Sequence, residues 1–304
     1  MAEPELLVLE DRLTRLLLAP DLGGSLVDWR RRADSQPLLR PGNLQTRPLT
    51  ARQQASFPLV PWSNRIAGGG FEAPDGWFEL PPNTPDSPLA VHGSAWQQPW
   101  EILAHSADTV LLRLESATPF AYRAEQRIHL ADGCLTLELK VTHLDPRPLW
   151  HGLGLHPFFP RTAATQVQAR AAGVWLCDGQ QLSTEHRAVP EEWNLENAAE
   201  LPAGKVDHCF TGWDGHCRIL QADAGYWLDC QAEGFDHYLL YCPPGQPFFC
   251  FEPVSHPVNA HHLPGRPGLG LLQAGQSVSG RWRMAYRSAP LREQARSYRT
   301  SYTV

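Results

Sequence analysis

Apolar and polar side chains alternate along much of this chain. In CLTLELKVTHL, Leu135, Leu137, Leu139 and Val141 fall on one side, and Thr136, Glu138, Lys140 and Thr142 on the other. SVSGRWRMAYR repeats the pattern, with Val278, Trp282, Met284 and Tyr286 set against Ser279, Arg281, Arg283 and Arg287. A period of two sends successive side chains to opposite faces, so each segment predicts a strand of an antiparallel sheet with one buried face. LLVLE, TVLLRLES, EQRIHL, DHYLLYC and FFCFEPV read as further strands. Asp132-Gly133, Asp214-Gly215 and Pro244-Gly245 supply turns between them. Helical periodicity is weak, and only Pro190 to Ala199 has room for one turn or two. No internal repeat or linker interrupts the pattern. It predicts an all-β fold, a large antiparallel β-sandwich formed as one domain over residues 1–304.

Composition narrows the picture. The chain has 304 residues with 28 prolines and 24 glycines, which suits many short strands better than long helices. Its net charge of −6 does not attract nucleic acid or an anionic membrane, so neither partner is expected. The dense basic run Arg30-Arg31-Arg32 reads as a solvated turn. Seven cysteines, an odd count with no C-x-x-C pair, sit largely in apolar runs as reduced thiols do. That usage, the lack of a signal-peptide pattern at the start and the lack of an apolar run of about 20 residues predict a soluble, cytoplasmic protein.

Five short segments stand out from the strand background. PWSNRIAGGGF joins Asn64-Arg65 to three glycines, and VHGSAW places His92 before a glycine. GLGLHPFFP sets His156 at the margin of a buried stretch, where an imidazole is tunable across neutrality. In FFCFEPVSHPVNA, Glu252 follows four core-type residues. A carboxylate there is costly to bury unless partnered, and the same burial makes it a stronger base. VDHCFTGWDG contributes Asp207, which taken alone reads as a turn cap. Together they provide an acid, a base and hydroxyl-binding groups, and Trp62, Trp96, Trp150 and Phe159 nearby offer flat apolar faces. A sugar site requires that combination.

In order, these five motifs resemble those of the aldose 1-epimerase (galactose mutarotase-like) family, from about Pro58 to Ala260. The resemblance implies that family's β-supersandwich and the interconversion of α and β anomers of a free aldose, with no cofactor or metal. It implies that His156 protonates the ring oxygen and Glu252 takes the proton of the anomeric hydroxyl. Arg65, His92 and Asp207 would hold hydroxyls and the ring oxygen, with Asn64 beside them. Acid–base chemistry agrees with this pairing, since mutarotation needs one group to give a proton and another to take one on opposite sides of a single acetal carbon.

Other readings start from other residues. Arg40, Arg52 and Arg123 could bind a phosphate, which would make the protein a hexose-6-phosphate 1-epimerase. The scaffold could instead serve a non-catalytic sugar-binding protein, although a binder has no use for both proton-transfer groups. His92, His156 and Glu252 could ligate a metal, but no local pair such as H-x-H is present. His143, His261 and His262 lie outside the family pattern. The expected partner is a small aldose or its phosphate, and monomer and homodimer are both open.

Overall fold

The two most strongly alternating segments pair with each other. In the computed structural model, which describes residues 4–288, strand Cys134–His143 runs antiparallel to Ser277–Ser288, with Leu135 opposite Met284 and Leu137 opposite Trp282. These strands lie at the middle of a nine-stranded sheet. Its order is Ala199–Glu200, Thr165–Ala169, His216–Gln221, Tyr226–Glu233, Ser277–Ser288, Cys134–His143, Tyr122–Ala131, Thr109–Ser116 and Glu101–His105. Asp132 and Gly133, both at positive φ, close the tight turn between Tyr122–Ala131 and Cys134–His143.

An eight-stranded sheet faces it. Its order is Ser183–Arg187, Gly173–Cys177, Val206–Thr211, His237–Cys242, Phe248–Val254, Gly154–Leu155 and Pro58–Leu59, and Phe158–Pro160 also pairs with Phe248–Val254. A smaller antiparallel sheet holds Leu7–Glu10, Thr14–Ala19 and Ser25–Arg31. The predicted strands are all present. Helix among the described residues is confined to short 3-10 turns, one of them Glu191–Trp193 inside the segment expected to turn. No helix among the described residues is long and apolar enough to cross a membrane. The arginine run lies on and just after Ser25–Arg31: Arg30 pairs with Asp28, Arg31 with Asp34, and Arg32 donates to the Asp11 carbonyl.

The main core lies between the two large sheets. Phe159 stacks on Phe249 with ring centroids 5.5 Å apart and meets Trp282 edge-on at 6.1 Å. Trp282 is fully buried, so Trp282→Ala is expected to cost about 3–5 kcal/mol in urea unfolding. A loss below about 1 kcal/mol would contradict its central place in the core.

Strand Phe248–Val254 divides its side chains by parity. Phe249 and Phe251 enter the main core. Cys250 and Val254 join a second apolar cluster with Phe57, Leu59, Trp96, Phe158 and Cys209, against which Trp175, Tyr241 and Phe248 pack. Glu252 shares the parity of this second set. The eight-stranded sheet therefore closes the core with one face and floors a separate hollow with the other.

Candidate active site

The GLGLHPFFP segment crosses the edge of this hollow in two short strands. Gly154 pairs with Val254, and Phe158 with Cys250. One register runs through both pairs, and it places His156 directly opposite Glu252. Residues opposite each other on antiparallel strands present neighbouring side chains. The ladder opens between the two pairs, because Pro157 has no N–H and the His156 N–H donates to the Phe57 carbonyl at 2.9 Å. The glycines and prolines thus bend the strand just where the imidazole turns into the hollow.

His156 Nε2 stands 3.4 Å from Glu252 Oε1. Acid and base are side by side here, in place of the separation expected from the sequence, and two oxygens carried by one carbon are near enough together to meet both. The imidazole rests against Phe57 and Phe158, each with centroids 4.7 Å away. Their side-chain exposures are 12 % for His156 and 2 % for Glu252. His156 Nδ1 and Glu252 Oε2 are buried with no hydrogen-bond partner.

Burial sets the charge state of the pair. It lifts the Glu252 carboxyl well above its ordinary range, with Asp207 adding to the rise and Arg65 opposing it. It takes the His156 imidazole down to about 3, helped by the positive charge of Arg40. Burial thus disfavours the charged form of both groups, lowering the imidazole and raising the carboxyl.

Arg65 and His92 come from two segments tied together. The Asn64 N–H donates to His92 Nδ1 at 3.0 Å, and the His92 N–H returns to the Asn64 carbonyl at 2.9 Å. Since Nδ1 accepts, the ring hydrogen of neutral His92 is on Nε2. Burial keeps that ring well below its ordinary value, with His156 and Arg65 contributing. His92 lies 5.4 Å from His156, ring centroid to centroid. Asn64 and His92 both adopt left-handed backbone, a conformation that concentrates at functional sites. Gly93 follows them because a Cβ there would sit 2.0 Å from the Val60 carbonyl oxygen. The Asn64 side chain accepts from Arg65, at its backbone N–H and at Nη1, both at 2.9 Å, and so orients the guanidinium.

Asp207 sits on Val206–Thr211 opposite Tyr241, which is itself opposite Cys250. Burial raises its carboxyl, and Arg65 opposes that rise. His92 thus lies beside the His156–Glu252 pair, and Arg65 and Asp207 are near enough for their charges to act on Glu252, with Asn64 holding the arginine.

The aromatic assignments need correction. Of Trp62, Trp96, Trp150 and Phe159, only Trp96 belongs to the hollow. Phe159 points into the main core, Trp62 packs against His261, and Trp150 packs under Arg266. Phe57 and Phe158 take their place beside His156. Of the arginines considered for phosphate, Arg40 and Arg52 border the site and act on His156, but both already have partners. Arg40 lies 3.6 Å over the Phe158 ring and donates to the Gln54 carbonyl at 2.8 Å. Arg52 pairs with Asp86, and Arg123 with Glu115 on the far sheet.

The ligand-type atoms that converge most closely are those of His156, Cys250 and Glu252, within 4.8 Å of one another. Cys250 takes the place that His92 held in the metal reading. Burial pushes its thiol well up, and Glu252 adds to the effect. Burial thus works against the deprotonation that a metal ion would require of both groups. The three leftover histidines act in packing. His143 Nε2 bonds the Arg147 carbonyl at 2.7 Å, His262 Nε2 bonds the Gly70 carbonyl at 2.8 Å, and His261 packs on Phe71.

Comparison with known proteins agrees with this geometry. The aldose 1-epimerase family profile matches residues 5–285. The uncharacterized protein YphB of Escherichia coli K12 is 34 % identical over 269 residues, which span 85 % of this chain and 91 % of that protein. A crystal structure of an Escherichia coli K12 protein, provisionally named an aldose 1-epimerase, superposes with a TM-score of 0.88 at 32 % identity, covering 93 % of this chain and 99 % of the other. The galactose mutarotase-like protein of Clostridium acetobutylicum shares the fold, with a TM-score of 0.83 at 17 % identity over 94 % of this chain and 96 % of its own. By sequence over nearly its whole length and by architecture, the chain belongs to the aldose 1-epimerase family, and this membership supports a general epimerase or mutarotase function.

Proposed function

We propose that the protein is a mutarotase that interconverts the α and β anomers of a free hexose by acid–base ring opening and closure. One observation carries this reading: a buried imidazole and a buried carboxyl lie 3.4 Å apart, with His92 beside the imidazole and Arg65 and Asp207 near enough to act on the carboxyl. Once sugar hydroxyls replace the direct contact, the proton held by the pair passes to His156; Glu252 as carboxylate then takes the proton of the anomeric hydroxyl while His156 gives its proton to the ring oxygen. The bond between the anomeric carbon and the ring oxygen breaks, leaving an open-chain aldehyde. Rotation about the first carbon–carbon bond presents the other face of the carbonyl, and reclosure returns both protons. The pair begins and ends with one proton, so the reaction needs no co-reactant. Arg65 and the Nε2–H of His92 supply donors for ring and hydroxyl oxygens, and Asp207 an acceptor. Anchoring on strands holds these groups rigidly, as the reaction geometry demands.

A free sugar suits the hollow better than a sugar phosphate, because Arg40 and Arg52 are already held by carbonyls and by Asp86. Saturation-transfer NMR on glucose, galactose and glucose 6-phosphate tests both points. Catalysed exchange of at least one free hexose, with little effect on the phosphate, is the expected result. Exchange at the buffer rate for every sugar would end the mutarotase reading, and preference for the phosphate would replace the substrate.

A further inference from the structure

The register that sets His156 opposite Glu252 continues beyond the site. The Ser255 N–H donates to the Leu153 carbonyl at 2.9 Å, and the next pair in the same register is His256 opposite Gly152. The His256 ring lies over that glycine, where a Cβ would come within 2.1 Å of its Cδ2. His256 Nδ1 is 2.8 Å from the Pro257 carbonyl oxygen and therefore carries the ring hydrogen. That leaves Nε2 as an acceptor, and it receives the Ser63 N–H at 3.0 Å. The ring is 2 % exposed, so no water competes for this bond.

Ser63 is two residues from Arg65, and the whole arm is fastened in the same manner. The Gly152 N–H donates to the Pro61 carbonyl at 2.8 Å, and the Asn259 N–H to the Arg65 carbonyl at 3.0 Å. Asn259 Oδ1 accepts the Ala67 N–H at 2.9 Å. These ties run to residues that flank the strands of the acid and the base, while Arg65 is held on its other side by pairing with Val91.

We propose that His256 is a positioning residue, which through the Ser63 N–H sets the Arg65 guanidinium relative to the His156–Glu252 pair. The imidazole joins three segments at one point: the arm that presents Arg65, the strand of His156 and the strand of Glu252. This inference rests on the mutarotase reading for its kinetic consequence, but the hydrogen bond itself does not. A displacement of about 1 Å at a group that holds substrate can cost about a hundredfold in rate, so a backbone tie two residues away is enough to matter.

A double-mutant cycle tests the proposal. His256→Leu fills similar volume without an acceptor and is expected to lower kcat/KM for hexose anomer exchange by about 30-fold. In an Arg65→Ala background the same change is expected to cost less than about twofold, because the group it positions is gone. His256→Gln, whose Oε1 can accept the same N–H, is expected to stay within about threefold of wild type. Equal losses in both backgrounds would mean a general structural role and would overturn the proposal. If the leucine variant does not fold, the glutamine variant decides alone, and a loss as deep as that of Arg65→Ala sinks the idea.

Hydrogen exchange at the Ser63 amide reports the bond without any sugar. Protection in wild type and His256→Gln supports it, and rapid exchange in wild type refutes it. A wild type that protects this amide but equilibrates no sugar would overturn the mutarotase reading and leave the tie standing. The coupling would then be read in glucose affinity by NMR titration, where additive effects of the two substitutions would overturn the positioning role.

Discussion

The Glu252→Gln variant is expected to lose anomer exchange by about 100- to 10,000-fold, the range that a general base contributes. The amide keeps the shape of the carboxyl but takes no proton. Sugar affinity should stay within a few-fold, since Arg65, His92 and Asp207 remain. Stability separates loss of chemistry from loss of fold. The Glu252 carboxyl is raised by burial, so its favourable contribution is complete below its ordinary value and fades as pH rises through the raised native one. A neutral amide removes that dependence, and the variant should unfold at no lower urea concentration than wild type at pH 8. Exchange above about a tenth of the wild-type rate would show that Glu252 is not the base.

Acid should unfold the protein steeply, for a reason set mainly by histidines. Burial lowers six imidazoles, and besides His208 five carry the effect: His151 to about 4, His156 to about 3 and His256 to about 4, with His92 and His261 held well below their ordinary value. A lowered group contributes stability that is complete above its ordinary value near 6.5 and is lost as pH falls towards the native one. At pH 5 the unfolded chain protonates all five, while the native protein keeps them largely neutral. Glu252 and Asp207, both raised by burial, work in the opposite sense. On balance unfolding takes up protons, so stability falls as pH drops from 6 towards 5. Domains are stable by only about 5–15 kcal/mol, so a urea midpoint that drops sharply between pH 6 and 5 is expected. An unchanged midpoint from pH 7 to pH 5 would mean that these rings are not buried as neutral groups.

The sandwich was legible because its strands advertise a buried face at every second residue, as Leu135 to Val141 and Val278 to Tyr286 do. Glu252 was legible from the cost of burying a carboxylate behind Phe248, Phe249, Cys250 and Phe251. His156 gained its meaning from the motif around it. The facing of neighbouring residues was harder to read. Phe158 and Phe159 look alike in sequence, yet one supports the imidazole and the other the core, because a single step along a strand reverses the side. Trp62 and Trp150 misled for a similar reason: loop residues close in sequence to a site can pack away from it. His256 left only a faint signal, a histidine four residues after Glu252 and hence of the same parity. Its value depends on a pairing with Gly152 that no local pattern records.

Parity along Phe248–Val254 bears on how such a protein can change. Neither side of this ribbon is idle, since alternate residues seal the interior and face the proposed site. Drift along it is therefore penalised at nearly every position, whichever way a side chain points. New sugar preferences would have to be written in the surrounding loops, which can vary in length and content while this seven-residue ribbon stays fixed.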